Sequence, residues 1–281
     1  RCQANPTTTL YRAQSDLEDL GVVSSNTVTI QNYALSASCP RPGGFFPAVS
    51  GSLQRTKNTR RPERNQSIDD VRLGIIWRRP SLGEAELFGQ VFEIRRNRFL
   101  PIATGTVRDA TTVKSVGVRM GRSVGTRVTA EASAAYTQAD SAPSVPGFSG
   151  VTYSGSLTYQ PAPRLGLIAG FGRVLSGSGN LGTSYYISDN AEFRIRAKLS
   201  ARTSADAGVD VAKRQFQGED LIFAARGRGS DQRYAVNANI SYDLTRPIVL
   251  SLATRYLHRN ADNDIYDFSS LATTLSASIR L

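Results

Sequence analysis

The chain has no run of 18 consecutive apolar residues, so nothing in its 281 residues is suited to crossing a membrane as a helix. Histidine occurs once, at His258, and cysteine twice, at Cys2 and Cys39, which leaves too few soft ligands for a zinc site. No glycine-rich phosphate loop is present; Gly177-Ser178-Gly179 and Gly227-Arg228-Gly229 read as flexible loop tips. Lysine is confined to Lys57, Lys114, Lys198 and Lys213, so the formal charge of +11 is carried mostly by arginine. That charge suits a surface or channel that gathers anions, and it also fits a coding bias toward arginine. Arg1 opens a polar stretch rather than an apolar signal segment, as expected of a mature or trimmed chain.

What is present is alternation. In the segment from Ala191 to Ser200, Ala191, Phe193, Ile195, Ala197 and Leu199 share one face, and Glu192, Arg194, Arg196, Lys198 and Ser200 share the other. Val128, Ala130, Ala132, Ala134 and Tyr136 alternate with Arg127, Thr129, Glu131, Ser133 and Ala135 in the same way. Many such strands, long and amphipathic to the last residue, fit a closed barrel with lipid outside and a polar interior. Short turns alternate with long polar loops, the outer-membrane arrangement of periplasmic turns and extracellular loops. Tyr159, Tyr234, Tyr242, Tyr256 and Trp77 fall near strand ends on the apolar face, where interfacial aromatics belong.

The expected fold is an all-β, antiparallel transmembrane β-barrel of about twelve strands, with fourteen or ten as the neighbouring counts. The strands fall near 45–56, 70–79, 84–95, 113–122, 126–138, 149–160, 163–174, 190–201, 204–215, 232–243, 247–258 and 269–281. Each reaches roughly 33–43 Å at about 3.3 Å per residue, enough to cross an apolar band about 25 Å tall when tilted. Residues 45–281 form the barrel and residues 1–44 a separate short segment. There, Thr7-Thr8-Thr9 could cap a helix with Leu10, Ala13, Leu17 and Leu20 on one face, and Val28–Ser38 could form an extra strand or arm. A Cys2–Cys39 disulfide would tie this segment down as a periplasmic lead-in, a plug, or a docking element for a periplasmic or export-complex partner.

The stretch Arg255-Tyr256-Leu257-His258-Arg259-Asn260, a short acidic loop, Asp267-Phe268-Ser269-Ser270 and a terminal amphipathic strand resemble the last hairpin of the putative β-barrel porin type 2 family. The turn within Ser241-Tyr242-Asp243-Leu244-Thr245 is similar to the same family's, and the likeness is clear over roughly the last 130 residues. The closing Thr273–Leu281 resembles the signal read by the barrel-assembly machinery, with Leu281 in place of the usual terminal aromatic. The resemblance implies residence in the outer membrane and an association with surface-polysaccharide production and export.

No enzyme is expected, and no cofactor. His258, with Ser269 or Asp264, is the one constellation from which a nucleophilic site could be drawn, and a rim histidine among arginines is ordinarily just solvated. The more informative set is basic and faces inward: Arg72, Arg119, Arg194, Arg196, Lys198, Arg233 and Arg255. These could pair with inward carboxylates and brace the barrel, or their surplus could line a path for anions or acidic sugars. Lys57, Arg60, Arg61, Arg64, Arg95, Arg96, Arg98, Arg214, Arg226 and Arg228 fall in or beside the outer loops, where they would meet lipopolysaccharide phosphates. No nucleic-acid-binding fold or aromatic platform accompanies the positive charge. Two functions follow: a pore or export conduit for anionic solutes or saccharide, or a plugged structural barrel that anchors a periplasmic or surface assembly.

Overall fold

The computed structural model describes residues 2–17, 24–60, 62–102, 105–142, 145–177, 184–218, 229–245, 248–262 and 264–279. They form one antiparallel sheet of fourteen strands in sequential order. The strands are β1 Gln3–Leu17, β2 Ser24–Ser38, β3 Gly44–Asn58, β4 Gln66–Arg79 and β5 Gly83–Ile102. Next come β6 Gly105–Val124, β7 Val128–Ser141, β8 Phe148–Ala162, β9 Leu165–Gly177 and β10 Tyr185–Lys198. The sheet ends with β11 Thr203–Gln217, β12 Ser230–Asp243, β13 Ile248–Ala261 and β14 Phe268–Ile279.

The twelve expected strands correspond to β3–β14, and two more precede them. Residues 3–17 are not helical: β1 and β2 pair from Gln3↔Ser38 to Leu17↔Ser24, and β2 pairs onward with β3. Leu10, Ala13 and Leu17 do carry a helical spacing. The β-branched run Thr7-Thr8-Thr9 and the β-prone partner Thr27-Val28-Thr29-Ile30 favour the extended form, and ladder pairing decides it. Two strands of the sheet thus come from the segment expected as a periplasmic lead-in, plug or docking element. Cys2 and Cys39 are bonded, one step beyond Gln3↔Ser38, and clamp this hairpin at its short-turn end.

Among the described residues β1 pairs only with β2 and β14 only with β13, so the sheet is open where a closed barrel was expected. Alternation dictates a curved amphipathic sheet, but it does not dictate which strands meet at a seam.

One face of the sheet is apolar and exposed. Leu73, Val116 and Leu275 are 60%, 64% and 76% accessible, and Val71, Leu87, Met120, Phe171, Val236 and Leu271 share their alternation. A water-soluble sheet would bury such a face; a bilayer covers it. Among the described residues no helix is long and apolar enough to cross a membrane. The opposite face is polar and more sheltered, with the Glu86 side chain only 13% accessible, so the sheet curves around its polar side.

β5 and β6 are the longest strands and continue well into the segment between the expected strands 84–95 and 113–122. Their register breaks between Arg95↔Ala110 and Phe99↔Arg108. The bulge turns Arg96 and Asp109 toward the interior, and both are buried.

Candidate functional site: a basic ladder on the sheltered face

Register, not sequence separation, determines what meets on the polar face. Arg72, Arg119, Arg194, Arg196, Lys198, Arg233 and Arg255 all project there, at positions paired with Gln90, Glu86, Gly208, Asp206, Ser204, Ala212 and Asn237 respectively. They fall into two groups.

In β4–β7 the charges are matched. Arg72 donates from Nε and Nη2 to Glu86 at 3.1 and 2.7 Å and stacks 3.7 Å above the Phe88 ring. Arg119 donates to Glu131 at 2.7 Å. The two-pronged Arg72–Glu86 geometry is the strong form of the interaction, and both pairs brace neighbouring strands.

In β10–β13 the basic groups form a ladder. Arg214, Arg233, Arg255 with Arg194, Arg196 and Lys198 occupy five ladder levels running from the long-loop end toward the short turns. Only one level between them, Glu192 opposite Asp210, is acidic. Levels two residues apart are about 6.6 Å apart, so the ladder extends roughly 33 Å along the strands, the reach needed to cross the membrane core. Arg196 donates to Asp206 at 3.2 Å, and Arg194 lies 3.9 Å from the same carboxylate. Arg214 is held bidentately by Asp231 at 2.7 and 2.6 Å. Arg259 Nε lies 2.7 Å from that carboxylate as well, close enough for an ion pair but not aimed for a hydrogen bond. Arg233, Arg255 and Lys198 have no ion pair or hydrogen bond among the described residues.

Beside the upper ladder the polar face is hollowed into a recess of about 320 Å³, bounded by Tyr186, Glu192, Asp210, Arg214, Arg233 and Arg255 over a floor at Ala212. A second recess, of about 480 Å³, lies at the short-turn end and includes Arg196, Lys198 and Asp206.

An inward-leaning hairpin, not foreseen from the sequence, limits access to this face. The β8–β9 ladder stops at Tyr153↔Arg173, although β8 begins at Phe148 and β9 continues to Gly177. Beyond that point the end of the β9–β10 hairpin leans across the sheltered face. A Cβ placed on Gly177 would lie 2.9 Å from Ile94 Cδ1 of β5. Tyr185 and Ile187 are buried with Leu100, Ala142 and Val145, and the Tyr185 hydroxyl donates to the Pro146 carbonyl at 2.7 Å. Arg96 donates to the Ser184 carbonyl, and Ser184 Oγ donates to Asp109 at 3.1 Å. Tyr185, Ile187 and the half-buried Leu175 packed against them carry the alternation of lipid-facing positions, which conceals this packing from sequence reading.

The remaining candidates are dispersed. His258 Nδ1 lies 2.8 Å from Ser269 Oγ and its ring stacks against Tyr234, both on the lipid-facing side. No carboxylate bonds this histidine among the described residues. Of the basic loop residues, Lys57 and Arg60 are exposed, Arg95 pairs with Asp69 and Glu93, and Arg96 and Arg214 belong to the contacts above. Arg61, the Arg98 side chain, Arg226 and Arg228 lie outside the described residues. No cluster of metal-ligating side chains occurs among the described residues.

The model of one sequence family, putative beta-barrel porin 2, matches residues 85–281, well over half of the chain. The chain belongs to the putative beta-barrel porin 2 family. This beta-barrel porin 2 match starts inside β5 and takes in β6–β14, so it contains the whole basic ladder, and it reaches well upstream of the last 130 residues. Among curated proteins, none matches the chain. Solved structures carry the same architecture. The apoprotein form of the FrpB iron transporter from Neisseria meningitidis (F5-1 variant) aligns over 100% of this chain and 54% of its own, at 9% identity and a TM-score of 0.58. The alcaligin outer-membrane receptor FauA from Bordetella pertussis aligns over 100% and 55%, at 10% identity and a TM-score of 0.51. The copper transporter OprC aligns over 98% and 53%, at 11% identity and a TM-score of 0.53. At such identities the likeness concerns the fold alone, and the chain spans about half the length of each. Together the family and these folds place this beta-barrel porin 2 member in the outer membrane.

Proposed function

We propose that the protein provides an outer-membrane pathway selective for anionic solutes, including acidic saccharides, with the β10–β13 ladder as its conducting face. The observation that carries this reading is that Lys198, Arg233 and Arg255 make no ion pair among the described residues and lie on the same face as Arg194, Arg196 and Arg214. Fixed positive charge along a sheltered wall concentrates counter-ions and lowers the barrier for anions relative to cations. Export of a charged surface polysaccharide, the task implied by family resemblance, belongs to the same proposal, since a polyanion would meet the same arginines in series. Exposed Lys57 and Arg60 are the groups we assign to lipopolysaccharide phosphates.

The rival reading, a filled barrel acting as an anchor, draws its support from the inward-leaning hairpin. Single-channel recording of the purified chain in a planar bilayer under a potassium chloride gradient separates the two. Stable current steps with a reversal potential on the chloride side support the pathway. Cation selectivity, or silence from a folded, heat-modifiable sample, rejects it.

A further inference from the structure

We infer that the recess beside Arg233 and Arg255 is a binding subsite for one acidic sugar unit, with the sugar carboxylate held between these two guanidinium groups. The inference rests on the anion-pathway reading and adds to it a place of residence and a ligand class.

Four observations lead there. The neighbouring basic groups are already engaged: Arg214 by Asp231, and Arg194 and Arg196 by Asp206, whereas Arg233 and Arg255 make no ion pair among the described residues. Arg233 stands between Ala212 and Arg259, whose own guanidinium lies against Asp231, and Arg255 between Asn237 and Ala272, so no carboxylate directly opposite closes either guanidinium head to the recess. The recess also holds two carboxylates, which a site for a simple inorganic anion would exclude. Glu192 and Asp210 face each other across β10 and β11, where like charges are unfavourable unless something bridges them. Asp210 accepts one bond, from Asn237 Nδ2 at 2.6 Å, and the Glu192 side chain lies over Gly170, with no hydrogen bond or ion pair among the described residues. Finally, its volume of about 320 Å³ is at the lower end of the range for small-molecule pockets and matches a single ring rather than an extended ligand.

Two arginines beside two carboxylates describe a ligand with one anionic edge and several hydroxyl donors. A uronic acid has both. Its carboxylate would accept from Arg233 and Arg255, and its ring hydroxyls would donate to Glu192 and to the free oxygen of Asp210, bridging the two acids that otherwise repel. A neutral hexose would leave the guanidinium pair unsatisfied, and phosphate would set its charge against Glu192 and Asp210.

The test is equilibrium binding to the folded chain in detergent micelles, read by isothermal titration calorimetry with glucuronate, glucose and inorganic phosphate as probes. Saturable glucuronate binding is expected, with glucose and phosphate each at least tenfold weaker. Arg255→Gln, at an exposed position, should lower glucuronate affinity at least fivefold, and Arg233→Gln with Arg255→Gln further still. The single variant carries the test if the double variant loses its heat-modifiable fold. Equal affinity for glucose, equal or tighter binding of phosphate, or an unchanged Arg255→Gln variant would overturn the inference. Because binding is measured without current, a chain that conducts anions but ignores glucuronate refutes the subsite alone. A chain that binds glucuronate but passes no current refutes the pathway and leaves the subsite standing.

Discussion

Replacing Asp231 by Asn should destabilise the protein and, at the same time, make it more anion-selective. The Asp231 carboxylate has no accessible surface and lies 2.7 and 2.6 Å from two nitrogens of Arg214 and 2.7 Å from Arg259 Nε. Asparagine keeps the size and one oxygen acceptor, so the substitution removes charge and little else. The Arg259 side chain is only 6% accessible and that of Arg214 16%, so at least one cation loses its counter-charge where water cannot replace it. Removing one partner of a buried pair costs about 3–5 kcal/mol, or about two to four orders of magnitude in the folded-to-unfolded ratio at about 1.4 kcal/mol per decade. Urea unfolding in micelles, followed by the heat-modifiable gel shift and far-UV circular dichroism, measures the loss. Asp231→Asn with Arg259→Gln should recover at least half of it, because the stranded charge goes too. In the bilayer, Arg214 is released into the ladder and the reversal potential should move further to the anion side. A change in unfolding free energy below about 1 kcal/mol would show that this carboxylate does not organise the β11–β13 end as described.

Other outcomes follow from the same geometry. Reducing Cys2–Cys39, whose partners are 37 residues apart, should cost about 4 kcal/mol by loop entropy; urea midpoints with and without reductant check this. Leu73→Arg, on the exposed apolar face, should destabilise the chain in lipid by about 2–4 kcal/mol, whereas Ser115→Arg on the polar face should cost far less; refolding yields into vesicles compare the two. An Ile94→Cys, Gly177→Cys pair should cross-link under mild oxidation in lipid, read by mass spectrometry after proteolysis, and absence of the cross-link would count against the inward lean of the β9–β10 hairpin.

The strands from β3 onward were legible because period-two alternation continues through each, and because prolines and glycines mark turns such as Arg79–Gly83. At that turn Gly83 adopts φ +95°, a conformation other residues avoid. β1 was not legible, since Leu10, Ala13 and Leu17 satisfy helical spacing and its threonines blur the contrast between faces. Parity alone could place Arg72 or Arg233 on the polar face. Which of them has a partner depends on register: Arg72 reaches Glu86 diagonally rather than its direct opposite Gln90. The burial of Tyr185 and Ile187 and the packing of half-buried Leu175 against them had no sequence signal, because a lipid-facing residue and one that packs against another strand are chemically alike.

The lean of β9–β10 divides the enclosed side of the sheet into unequal environments. Against β5 and β6, Ile94, Val113 and Tyr185 are shut off from solvent, whereas beyond the hairpin Arg233 and Arg255 face an open hollow. Water entering from the long-loop end would therefore find a dry compartment and a wet one side by side, and any solute would be steered into the wet lane from its first contact. If the proposed pathway conducts, its electrical cross-section should be that of a single lane, narrower than a wall of this many strands suggests, with each ion kept close to the charged ladder.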